Sequence, residues 1–163
     1  MTDEAKKEKI TIIMFSGELD KALAGFTLAN TAASMGMDVS MFFTFWGLNI
    51  VKKNRTRFFG KGFILKMFSI LNKGGTRRLA LSRFHMLGLG TSMMKKVMRK
   101  TKIASIDEMM ELAKSLDVKF MACTMSMGVM GVNADNLRSE VDSLCGAATY
   151  LAEARKSAVN LFI

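Results

Sequence analysis

KITIIMF, residues 9–15, is an unbroken apolar run rich in β-branched residues that stops at Ser16-Gly17. Lacking polar alternation, it reads as a strand buried on both faces, the habit of parallel sheets. Residues 18–35 follow with Leu19, Leu23, Phe26, Leu28 and Ala32 at helical spacings, and they close on Gly36, a helix-ending glycine. A second apolar strand is predicted over 39–45, ending in Phe45-Trp46-Gly47. Strand, helix and strand in this order form a βαβ unit, whose crossover requires parallel strands. The expected fold class is α/β with a mainly parallel central sheet.

The same alternation returns further along. Ser105-Ile106-Asp107-Glu108 has the S-x-x-E form of a capping box and predicts a helix over 105–116. Asp117 then turns the chain into a third strand, 118–123, with Cys123 at its carboxyl end and the Met-rich TMSMGVMG segment, 124–131, behind it. A brief helix over 133–138, a fourth strand over 139–144, an Ala-rich helix from Cys145-Gly146 to Lys156 and a last strand over 158–163 complete a sheet of about five strands. Proline is absent, so helix ends depend on glycine and capping residues.

At 163 residues the chain suits one domain, 1–163, large enough to bury a real core. Charge is distributed unevenly. Fifteen of the 24 bases fall within 52–102, a stretch holding no acid, while the remaining nine face all 14 acids. Glycines interrupt this stretch, which reads as a basic helical insertion with short helices predicted over 63–71 and 91–100. Its bases are mixed with Leu, Ile, Phe and Met, a composition suited to an anionic membrane surface or an acidic protein, or to packing within an oligomer, ahead of nucleic acid. No apolar run reaches the roughly 20 residues of a membrane span. Residues 1–9 have no signal-peptide character. A cytoplasmic location is expected, with peripheral membrane contact through the insertion as one use of its charge.

Ligands of open parallel sheets bind outside the carboxyl ends of the strands. Ser16 and Gly17, Trp46, Cys123 and Cys145 are all predicted at that edge. Two cysteines make no disulfide scaffold, so any use they have is chemical. A thiol beside the first turn of a helix is favoured as thiolate, the form that attacks sulfur; a free cysteine that merely packs is the bland alternative. Met125, Met127 and Met130 offer a soft, polarizable wall for such sulfur, although methionine more often just packs. If the third and fourth strands are neighbours, Cys145 is a candidate resolving thiol. His85, the sole histidine, reads as structural, and the spacing of His85, Cys123 and Cys145 does not suit a metal site. No phosphate-binding glycine loop is present, and no cofactor is expected.

FSGELDKA (15–22), MFFTFWGLN (41–49), ACTMSMGVMG (122–131) and GAATYLAEA (146–154) resemble the DsrE/DsrF-like (DsrEFH) sulfur-relay family, nearest its DsrE2-type branch. The resemblance implies a three-layer, flavodoxin-like α/β fold and homo-oligomeric assembly. It implies a sulfurtransferase or sulfur carrier that accepts sulfane sulfur as a persulfide on Cys123 and hands it to a small TusA-type carrier or a rhodanese. Ser16, Gly17, Trp46, Met125, Ser126 and Met127 are the residues expected around that sulfur. Cys145 stands where this branch would carry a small or apolar residue, so the resemblance assigns it no role. The competing reading is a non-catalytic scaffold or membrane-proximal module whose cysteines are buried and structural.

Overall fold

Five strands, β1 (Lys9–Met14), β2 (Asp38–Phe43), β3 (Lys119–Cys123), β4 (Ser143–Cys145) and β5 (Val159–Phe162), pair in parallel in the order β4-β3-β2-β1-β5. The computed structural model describes residues 7–54 and 74–163. Six α-helices lie among the described residues: α1 (Leu19–Ser34), α2 (Leu48–Val51), α3 (Leu89–Lys100), α4 (Ile106–Ser115), α5 (Thr124–Met130) and α6 (Ala147–Ala154).

The strand order explains the layers. Stepping from β1 to β4 always moves the chain in one direction across the sheet, so right-handed crossovers place the connecting helices on one face. α1, α4 and α5 bury their apolar sides there, against Ile10, Ile12, Met14, Val39, Met41, Phe43, Phe120 and Ala122. Phe26, Phe43 and Phe120 form the aromatic centre of this core, with ring centroids 5.5 to 6.4 Å apart. The return from β4 to β5 runs in the opposite direction, and its helix α6 lands on the other face. That second core is small: Phe42, Met121, Cys123, Cys145, Tyr150 and Ala154. Tyr150 stacks on Phe42 at 4.9 Å. The result is the expected three-layer α/β fold.

Sequence signals set most boundaries within a residue or two. Gly36 takes a φ of +86° after α1, a conformation open to glycine at little cost. Ser105 and Glu108 close the capping box in both directions at the start of α4. The helix predicted over 91–100 is α3, two residues longer at its start. The helix predicted over 63–71 lies outside the described residues.

Residues 133–142 depart from the reading. Only a single 3-10 turn, Ala134–Asn136, stands in place of the predicted helix, and the fourth strand is Ser143–Cys145 instead of 139–144. Ion pairs account for the shift. Arg138 bridges Asp107 and Glu140, each at 2.6 Å, and the Asp142 carboxylate accepts from the Phe120 N–H and from Lys114. These contacts hold 138–142 in a turn until the chain enters the sheet. Cys145 is consequently the last residue of a strand, not the first after one.

The described part of the basic insertion lies along the carboxyl edge of the sheet. The Ala80 carbonyl accepts from the Leu19 N–H at 2.7 Å, Asp20 accepts from Ser82, and the Gly75 N–H donates to the Asn49 carbonyl. The first turn of α1 thus has its spare N–H taken by the insertion.

Candidate functional site

Cys123 closes β3, and the period-two alternation of Lys119–Cys123 fixes where its side chain goes. Phe120 and Ala122 face the main core, so Met121 and Cys123 face α6. In β4 the same alternation directs Cys145 to that face. The register pairs Met121 with Ser143 and Cys123 with Cys145, bringing both cysteines of the chain to adjacent positions. Both are free thiols. Cys123 is 5% exposed and Cys145 9%.

Two thiols so close are treated differently by their surroundings. Burial pushes the Cys123 thiol up, but hydrogen bonds from the Ser126 hydroxyl and N–H, the Thr44 hydroxyl and the Met125 N–H outweigh it, and the net shift is below the ordinary thiol value. The N–H donors come from the first turn of α5, which starts directly after Cys123. Burial also pushes Cys145 up, and negative charge on Cys123 pushes it further. Cys123 is therefore the more acidic thiol of the pair and Cys145 the less acidic.

The hydroxyl pair adds a constraint. Thr44 Oγ1 and Ser126 Oγ lie 2.7 Å apart, within hydrogen-bond range of each other. Each hydroxyl carries a single proton. With one proton spent between the two oxygens, the other is left for the sulfur, a two-link chain that either hydroxyl can begin. Such chains strengthen each bond by polarisation. Thr44 follows β2, the neighbour of β3, and escaped the sequence reading although it sits inside the FTFWG motif. Its signal was positional: the residue after a central strand, beside the end of the next.

The remaining predicted site residues divide. Ser126 is buried at the thiol. Met125, on the same turn, is exposed, and its N–H faces the sulfur. Met127, together with Met130, packs into the main core across the sheet from the cysteine cluster. Ser16, Gly17 and Trp46 gather at the ends of β1 and β2. A Cβ on Gly17 would stand 2.4 Å from the Trp46 carbonyl oxygen, and one on Gly47 would stand 1.8 Å from that of Met14, so glycine is required at both positions. Trp46 is half exposed there, next to Phe45, whose ring meets Phe15 at 5.3 Å. Thr44 links this aromatic rim to the thiol.

A second feature occupies the other layer of the same edge. A cavity of about 350 Å³ is lined by Arg77, Arg78, His85, Thr91, Lys95 and Arg99 among others, with no carboxylate among its described lining residues. An adjoining cavity of about 380 Å³ shares Arg77, Lys95 and Arg99 and reaches Asp107 and Glu108, which are engaged by Arg138 and by Ser105. Lys95 gives a hydrogen bond to the Arg77 carbonyl at 2.8 Å, and burial lowers its pKa. Beside the cavities Phe84, Met86, Leu87 and Leu89 are exposed. Among the described residues no group of His, Cys, Asp and Glu could hold a metal ion.

The family model for DsrE/DsrF/DrsH-like proteins matches residues 6–162. The chain belongs to this family. Within the family it is 39% identical over 163 residues to the uncharacterized protein YrkE of Bacillus subtilis (strain 168), covering 100% of both chains. It is 32% identical over 167 residues to the sulfur carrier protein DsrE2 of Allochromatium vinosum, covering 97% of this chain and 99% of that one. The crystal structure of the YchN protein from E. coli superposes with a TM-score of 0.58 at 12% identity, over 96% of this chain and 99% of that one, which makes the fold DsrE-like. Among the described residues no helix is long and apolar enough to cross a membrane.

Proposed function

We propose that this chain is a sulfur carrier of a relay, holding sulfane sulfur as a persulfide on Cys123 and passing it to a partner protein of the TusA or rhodanese type. The observation that carries the reading is the donor set around Cys123: two hydroxyls and two backbone N–H groups at the carboxyl end of a parallel strand favour the thiolate that accepts sulfur. Its relationship to a protein named a sulfur carrier supports it. The small residual exposure of Cys123 suits storage, since bulk thiols meet the sulfur rarely, and a persulfide lengthens the side chain by about 2 Å toward an acceptor.

The test is intact-mass analysis after exposure to a sulfane donor and desalting. Wild type gains one sulfur, Cys123→Ser gains none, and incubation with a TusA-type acceptor returns the wild-type mass. An adduct of equal yield on Cys123→Ser removes the assignment. Inertness of native Cys123 to a small alkylating reagent would favour the scaffold reading instead.

Two features of assembly and location extend the proposal. Among the described residues the α6 face of the sheet is covered by that helix alone, and Leu151 and Phe162 are exposed on or beside it, which supports a homo-oligomer whose contact runs along α6 and β5. Size-exclusion chromatography with light scattering checks it, and a monomer at all concentrations ends it. The exposed Phe84, Met86, Leu87 and Leu89, next to bases that carry no ion pair among the described residues, support peripheral attachment to an anionic membrane surface. Flotation with anionic vesicles that is insensitive to salt, or absent, ends that reading.

A further inference from the structure

The register that joins β3 to β4 makes the two cysteines a chemical pair. In-register residues on adjacent strands have Cα atoms about 4.8 Å apart, inside the roughly 4.4 to 6.8 Å range that disulfides span. Cys123 and Cys145 occupy such positions, with both side chains in one cluster under α6. β4 is a three-residue edge strand that ends at Cys145, and the following Gly146 has open space where a Cβ would stand, so the small closure a bond requires falls on the least constrained strand of the sheet. The Cys145 thiol is buried in that cluster with the Cys123 sulfur beside it.

We infer that Cys145 discharges the Cys123 persulfide, releasing sulfide and leaving an intramolecular Cys123–Cys145 disulfide. The thiolate of Cys145 attacks the Cys123 sulfur. The bond between that sulfur and the outer sulfur breaks, and the outer sulfur leaves with the electron pair as hydrosulfide. The balance is one persulfide and one thiol giving one disulfide and one hydrogen sulfide, so the sulfane sulfur is reduced and the two cysteine sulfurs are oxidised by the same two electrons, with no other oxidant. A low-molecular-weight thiol such as glutathione then restores both cysteines. The carrier thereby has a safety route: sulfur that finds an acceptor is handed on, and sulfur that waits is released as sulfide. Because burial holds the Cys145 thiol above its ordinary value and so keeps its thiolate scarce, the release is slow beside a hand-over to a docked acceptor.

This inference rests on Cys123 as the carrier, and one experiment separates the two. Wild type, Cys145→Ser and Cys123→Ser are loaded anaerobically with sodium tetrasulfide, desalted, and followed by intact mass and sulfide determination, with non-reducing peptide mapping at the end. The expected result is a wild-type adduct that decays to a species two hydrogens lighter than the reduced chain, with one sulfide per adduct and a peptide joining residues 123 and 145. Cys145→Ser takes up the same sulfur and holds it at least tenfold longer. If the wild-type adduct lasts as long as that of Cys145→Ser, or the mapped disulfide joins two chains, the discharge is overturned while the carrier stands. If Cys145→Ser takes up no sulfur, although its unfolding transition matches wild type, the carrier reading fails and the discharge fails with it.

Discussion

The carboxyl edge of the sheet carries two regions built on opposite terms. Under α6 both cysteines are buried, and two hydroxyls and two backbone N–H groups serve Cys123. In the other layer, between α3, α4 and the start of α1, cavities of about 350 and 380 Å³ are lined by arginines and a lysine that have no ion pair among the described residues, the larger also by Asp107 and Glu108, which are engaged elsewhere. The first region offers a reactive sulfur, and the second offers charge around open space. A transferable sulfur atom needs only the former, since its recognition is the making of a bond. The latter suits recognition of something larger and anionic.

The sharpest way to break the contrast is Cys123→Ser, which should abolish sulfur uptake entirely while leaving vesicle binding at its wild-type level. Retention of uptake would mean that the reactive centre lies elsewhere. Next in size is Ser126→Ala. Hydrogen bonds to a charged group contribute about 1.5 to 3 kcal/mol, so losing the serine hydroxyl should raise the Cys123 midpoint by at least about one pH unit. The sign is upward, because the lost donor served the thiolate; the alkylation rate at neutral pH falls about tenfold, and the whole rate profile moves to higher pH. Thr44→Val removes the other hydroxyl of the pair, the smaller of the two side-chain contributions to the thiolate, and should slow alkylation by a smaller factor, about threefold. Equal effects from the two would show that both hydroxyls reach the sulfur directly.

Vesicle binding tests the other side of the contrast. Each base near an anionic surface is worth about 1 kcal/mol, so Arg77→Ala and Arg99→Ala should each weaken binding about fivefold, with less loss at high salt. Neither should move the alkylation profile of Cys123. A shift in that profile would couple the two regions and turn the cavities into part of the thiol site. The smallest effect expected is that of Ser105→Ala, which removes the cap of α4 at the cavity wall. It should cost about 1 kcal/mol in urea unfolding and leave both readouts alone.

Much of this arrangement could be read before the fold was known. Residues 9–15 and 39–45 were legible as parallel strands because burial on both faces leaves no polar alternation. The capping box of Ser105 and Glu108 marked α4 because its hydrogen bonds join residues three apart. Cys123 stood out as the end of a strand followed by the Met-rich segment 124–131. The stretch 133–142 resisted, since its path is set by Arg138 meeting Asp107 across 31 residues and by Asp142 capping the Phe120 N–H, contacts that local propensity does not register. Met127 shows the same limit at the site. Its position in the CTMSMGVMG motif suggested a place near the sulfur, but the rotation of α5 turns it into the main core.

The sequence alone determined the βαβ grammar, the parallel sheet and the place of Cys123 at the end of its strand, because periodicity and caps are properties of neighbouring residues. The tertiary structure alone decided that Cys123 faces Cys145, that Thr44 meets Ser126 and that one thiol is shifted down and the other up. Strand register and the donors around a buried group arise from pairing between residues tens of positions apart, and the side-chain pattern of a single strand does not fix which residue of its neighbour stands opposite.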